Sequence, residues 1–218
     1  MLEEKISILK KKIVEFCLLI EKMIDESISG LLNKNSEILK KVINEYEIKA
    51  NNFEIEIDEL SIETIAQYQP KAKNLRTILM ILKINNDLER IGDHAVNISE
   101  SSLFLIERPM VKPLIDIPRM AEKTIEMVKE SVNSFINENS SLARKICTED
   151  EIIDDLRNQI TRELITYMTS DPSTIERSLH LLRIAQNLER IADLSTNISE
   201  DVIYMVEGKI IKHHFEEK

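Results

Sequence analysis

The sequence predicts an all-α protein built as two tandem three-helix bundles, and three observations carry that prediction. The chain of 218 residues holds three glycines and five prolines, too few turn formers for an all-β sandwich. Apolar residues make up 43% of it, with only 4% aromatic, and they recur at helical spacing over long stretches. The stretch 78–100 also falls on 178–200 when the chain is shifted by 100 residues.

The first helix reads from Ile6, Leu9, Ile13, Phe16, Ile20 and Met23 to Ser27 and Leu31, a heptad-like seam. Asn33-Lys34-Asn35-Ser36 interrupts it, and Asn35 or Ser36 can cap the next helix. That second helix carries Ile38, Val42, Phe53, Ile57 and Leu60 and runs to about Tyr68. Gln69-Pro70 opens a third, with Pro70 suited to the first helical position, continuing through Leu75, Ile78, Leu88 and Ile91 to about Leu105. Pro109, Pro113 and Pro118 then mark a linker. A fourth helix is expected over roughly 119–137 and a fifth over 140–169. Asp171-Pro172 opens a sixth that ends near Gly208. The expected organisation is a bundle over 1–107, a linker over 108–118 and a second bundle over 119–218.

The repeat is more than a shared core pattern. Leu79/Leu179, Leu82/Leu182, Ile84/Ile184 and Leu88/Leu188 follow from two amphipathic helices alone. Glu89/Glu189, Arg90/Arg190, Asp93/Asp193, Asn97/Asn197, Ser99/Ser199 and Glu100/Glu200 do not. Core packing gives no reason to repeat those polar residues, so the chain reads as an internal duplication.

Composition excludes several function classes. Glycines are never grouped as a phosphate-cradling loop requires. Net charge is −10, so bulk binding to a phosphate backbone is disfavoured and no nucleic-acid partner is expected. The short basic runs, Lys10-Lys11-Lys12 and Lys209 to His214, read as solvated surface. Cys17 and Cys147 match no disulfide or metal framework and are expected as reduced thiols. Glu15 and Glu21 bracket Phe16–Ile20 too tightly for a signal peptide or membrane span, so a cytoplasmic protein is expected. No nucleophile has a local base and orienter, and an enzyme is not expected.

The chemistry concentrates on acidic helix faces. Glu89, Asp93 and Asn97 stand at i, i+4 and i+8, and Glu189, Asp193 and Asn197 repeat them. Carboxylates so spaced repel, so a cation must offset them: Arg76, Lys83, Arg90, Arg183 or Arg190 in a salt-bridge network, or a bound metal. Asp150 and Asp154 add a second pair, and Glu47 sits at the matching place in the first half, with Asn51 where the second acid would stand. Four carboxylates from two helices suit a hard cation. His94 and His180 do not recur in the other half and read as surface or core histidines, and His213-His214 as tail.

The pair ERIGD-HAVNI and ERIAD-LSTNI, Gln69-Pro70 before Leu75-Arg76, and the linker between the halves together resemble the PhoU family over essentially the whole chain. The resemblance implies two three-helix bundles with pseudo-twofold symmetry. It also implies a metal-binding regulatory adaptor that represses the phosphate-starvation response. Its partners would be the ATPase subunit of a phosphate ABC transporter and a phosphate sensor histidine kinase, and a homodimer is expected. Glu89 with Asp93, Glu189 with Asp193, and Asp150 with Asp154 match the family's acidic motif. They would hold iron or zinc, possibly as a multinuclear cluster, or Mg or Mn, with Asn97, Asn197 and Asn51 behind them. Because Asn51 replaces an acid beside Glu47, the second half is expected to be the better site. The competing readings are a carboxylate-bridged di-metal enzyme, disfavoured because no histidine completes a Glu-x-x-His pair, and a metal-free structural bundle.

Overall fold

The protein, a computed structural model, is described over residues 1–208; His213-His214 lies outside the described residues. Six long helices follow one another. α1 is Leu2–Leu32. α2 starts as Ser36–Lys41, passes through a π-helical turn Val42–Tyr46 and continues as Glu47–Tyr68. α3 is Ala72–Ile106, α4 Asp116–Ile136, α5 Ser140–Ser170 and α6 Ile175–Glu207. Each set of three forms a bundle, and the bundles pack along α3 and α6 and along α1 and α4. No described helix is long and apolar enough to cross a membrane.

The same short sequence turns the chain in both halves. Lys34 and Glu138 take left-handed φ values of 51°. The amides of Asn35 and Asn139 then reach back to Gly30 O and Ser134 O, both at 2.9 Å. Each asparagine caps the next helix: Asn35 Oδ1 accepts from the amides of Glu37 and Ile38, and Asn139 Oδ1 from Leu142. Two other boundaries differ from the sequence reading. Pro70 lies outside α3, because Gln69 turns left-handed at φ 46° and Lys71 stays extended. Pro118 lies within the first turn of α4, where its missing N–H removes no helical bond. Asp171 caps a 3-10 turn, Pro172–Thr174, that leads into α6.

The buried surface is aliphatic and continuous across both bundles. Leu79 and Leu179, matched in sequence, are instead 44% and 46% exposed. Several serines are buried within the core. Ser102, Ser195 and Ser199 return their hydroxyls to carbonyls one turn back, whereas the buried hydroxyls of Ser61, Ser99 and Ser178 have no hydrogen-bond partner among the described residues. Both cysteines are free thiols, and burial pushes Cys147 up to about 11, which leaves it protonated at neutral pH.

α3 and α6 run antiparallel, as their cross-contacts fix. Lys83 Nζ reaches both oxygens of nearly buried Asp201 at 3.0 and 3.1 Å, His94 Nδ1 lies 2.8 Å from Asn187 Oδ1, and Phe104 stacks on His180. The linker is pinned rather than loose. Arg108 lies over the Phe104 ring, Arg177 Nη1 donates to Pro109 O at 2.8 Å, and Lys112 pairs with Glu163 and Asp116.

Candidate functional site

Two acidic stripes flank the α3–α6 seam. In the first half, α2 sets Glu54 and Asp58 beside Glu89 and Asp93 of α3. Burial raises the Glu54 carboxyl, helped by the charges of Asp58 and Asp93, and raises Glu89, helped by Asp93 and Glu54. Asn85 Nδ2 donates to Asp58 Oδ1 and to Glu54 O, each at 2.9 Å, and so ties α3 to α2 at this level. Among the described residues none of the four acids is in an ion pair.

In the second half, α5 sets Asp150 and Asp154 beside Glu189 and Asp193 of α6. Burial lifts Asp150 to about 6, with Asp193, Asp154 and Glu189 adding like charge. Glu189 and Asp193 are raised as well, burial first. Here a cation is built in. Arg157 Nη2 lies 3.1 Å from Asp154 Oδ1 and 3.7 Å from Glu189 Oε1. Of the five cations expected from the sequence, Arg190 also lowers Glu189 and Asp193 through its charge, without an ion pair among the described residues.

Between the stripes lies a central cleft of about 420 Å³. Arg90, Asp93, His94 and Asn97 line it from α3, and Arg190, Asp193, Leu194 and Asn197 from α6. Asn97 and Asn197 therefore face a cleft shared with two arginines. Burial lowers the His94 pKa, and Arg190 and Arg90 oppose its protonation too, so its imidazole is neutral at neutral pH. His180, stacked on Phe104, is likewise pushed down by burial.

The sequence model of the PhoU domain matches twice, over residues 13–102 and 117–202. The chain belongs to the PhoU family. A phosphate-specific transport system accessory protein PhoU homolog of Aquifex aeolicus is 40% identical over 96% of this chain and 95% of its own length. PhoU homolog 2 of Thermotoga maritima is 36% identical over 100% of this chain and 92% of its own. The crystal structure of PhoU from Pseudomonas aeruginosa superposes with a TM-score of 0.91 at 30% identity, covering 96% of this chain and 100% of that one.

The two PhoU repeats align through their buried positions, and the alignment explains the stripes. Leu39 and Val42 stand 104 residues before Ala143 and Ile146, whereas Ala50, Ile57 and Ser61 stand 103 before Ile153, Ile160 and Leu164. The π-helical turn absorbs the one extra residue of the first repeat. Glu47, Asn51, Glu54 and Asp58 thus answer to Asp150, Asp154, Arg157 and Thr161. The acid absent at Asn51 is made up one turn later by Glu54, where the second repeat carries Arg157. Among the described residues no hydrogen bond or ion pair joins Glu47 or Asn51 to Glu89 or Asp93. Sequence reasoning missed Glu54 and Asp58, although they too stand at i and i+4.

As the side chains stand, no three of His, Cys, Asp and Glu among the described residues converge to hold a metal ion. The donor chemistry of the first stripe nevertheless suits a hard cation: carboxylates facing one another with no ion-pair partner among the described residues, Arg90 offsetting Glu89 only in part. In the second stripe Arg157 already does part of that work. The first half thus carries, besides Glu47 and Asn51, two acids, Glu54 and Asp58, that stand beside Glu89 and Asp93.

Proposed function

We propose that this PhoU-family chain is a cytoplasmic accessory regulator of phosphate transport. It contacts the ATPase subunit of a phosphate ABC transporter and the phosphate sensor histidine kinase, and represses the phosphate-starvation response. It binds divalent or trivalent metal at its acidic stripes, acts as an adaptor rather than an enzyme, and works as a homodimer. The transport role is supported by relatives that carry it in their names over nearly the whole of both chains. The observation that carries the metal reading is the set Glu54, Asp58, Glu89 and Asp93, without an ion pair among the described residues. A cation there would supply positive charge to an otherwise repulsive face and fix α2 against α3.

Arg157 gives a second reading specific support: the second stripe, Asp150, Asp154, Glu189 and Asp193, can stand as a metal-free salt-bridge network. Titration with Mn²⁺, Zn²⁺ and Fe²⁺ separates the two. Asp58→Asn is expected to weaken the strongest metal binding by roughly tenfold or more, and Asp154→Asn by less. Equal losses would remove the asymmetry, and no stoichiometric metal in wild type would leave only the structural network. Co-purification with the transporter ATPase and the kinase, with and without chelator, tests the adaptor role. Retention of neither under phosphate-rich or phosphate-poor conditions would sink it.

A further inference from the structure

We propose that the cleft between α3 and α6 binds a small, partly protonated oxyanion, free inorganic phosphate, between Arg90 and Arg190. This goes beyond the metal reading and does not rest on it. The duplication repeats an arginine immediately after each glutamate of the acidic motif, and a guanidinium beside a cation ligand only weakens a cation site. The fold gives those arginines a different place. Antiparallel packing of α3 on α6 brings both to one cleft of about 420 Å³, with Asn97 and Asn197 repeated around it.

Among the described residues neither guanidinium donates a hydrogen bond; Arg190 makes no ion pair, and Arg90 has only Asp87 at 3.7 Å. Asp93 and Asp193 offset part of the charge of the two guanidiniums, Arg190 acting on Asp193, and the planar fork of each arginine still suits an oxyanion. The amide groups of Asn97 and Asn197 add neutral donors.

The acceptors in the same cleft select the anion. Asp93 and Asp193 line it, and a carboxylate repels a fully deprotonated oxyanion but accepts a hydrogen bond from one that keeps a proton. His94 adds another acceptor. Asn187 Nδ2 donates to Arg183 O at 2.7 Å, so its Oδ1 faces His94 Nδ1, which must carry the ring proton; Nε2 is left as a lone pair. Phosphate at neutral pH carries a proton and sulfate does not. The cleft therefore discriminates between two anions of the same shape. Both repeats build it, so the stoichiometry is one per chain.

The test is calorimetric titration of the full, chelator-stripped and desalted protein at neutral pH with phosphate, sulfate and ADP. Phosphate is expected to bind once per chain and sulfate roughly tenfold or more weakly. ADP is expected to bind no more tightly than phosphate. The double variant Arg90→Gln/Arg190→Gln should lose roughly tenfold or more of the phosphate affinity, with its helical circular dichroism unchanged. Asp193→Asn should narrow the phosphate–sulfate gap. No phosphate binding up to roughly 10 mM, equal binding of sulfate, or an unaffected double variant overturns the proposal. Tighter binding of ADP overturns free phosphate as the source and assigns the cleft to the phosphoryl group of a nucleotide. The sulfate comparison needs no variant and so decides even if the double variant fails to fold.

Discussion

Glu54 and Arg157 occupy equivalent places in the two repeats, and with Asn51 against Asp154 and Asp58 against Thr161 they give the stripes different charge. Around Arg157 the acids have a partner, yet burial still holds Asp150 at about 6. Glu54, Glu89, Glu189 and Asp193 are displaced upward too. A carboxyl raised in the folded state stabilises the fold below its ordinary pKa, and that contribution is lost as pH rises through its folded value. His94 and His180, pushed down, act oppositely below the ordinary imidazole range. The acids that are lowered, Glu4, Glu126, Glu138 and Asp171, contribute steadily until pH falls into the carboxylate range. Asp150, held at about 6, changes charge between pH ~5 and pH ~7.5 and sets the sign. Metal-free protein is expected to melt at a higher temperature near pH ~5 than near pH ~7.5, and Asp150→Asn to shrink the difference. A melting temperature that climbs across that interval in wild type contradicts the assignment. The repeated motif made Glu89, Asp93 and their copies legible in the sequence. Glu54 and Asp58 were not, because their charges repeat nowhere in the second half.

At the scale of the element, the α1–α2 corner shows how two repeats solve one packing problem differently. A Cβ on Gly30 would meet Leu39 Cδ2 at 2.6 Å and Cγ at 2.7 Å, and Leu39 is fully buried and cannot swing away. At the equivalent corner Ser134 has a side chain, and the facing residue is the smaller Ala143. Gly30 and Leu39 are thus one choice and Ser134 and Ala143 another. Gly30→Ala is expected to destabilise by about 1–3 kcal/mol despite the better helix propensity of alanine. Leu39→Ala should cost about 2–5 kcal/mol alone, and the double variant less than the sum. Additive losses in a denaturant series would show that the two do not share the space. Gly92 behaves differently. Its nearest neighbour is the flexible end of Ile20 at 3.1 Å, with Ala50 Cβ and Met23 Cε in ordinary contact at 3.7 Å, and its counterpart is already Ala192. Gly92→Ala is expected to change stability by less than about 1 kcal/mol. Helix identities and the Asn35 cap could be read from periodicity and local chemistry. The π-helical turn could not, because the extra residue shows only when buried positions of the folded repeats are compared.

At the scale of the molecule, the buried surface passes from one bundle to the other without a break, through α3 with α6 and α1 with α4. The pinned linker adds Lys112 and Arg177 contacts to that union. Urea unfolding is therefore expected to be one cooperative transition, with circular dichroism and thiol accessibility of buried Cys17 changing together. Two separated transitions would show that the bundles are energetically independent. The sequence by itself determined the helical class, the duplication and the family, because hydrophobic period and repeated polar residues are local properties of a chain. Only the tertiary structure decided which charges meet. Placement across helices depends on crossing, register and one inserted residue, so Asn97 and Asn197 came to share a cleft with two arginines, and the first repeat, not the second, kept its stripe acids without an ion pair among the described residues.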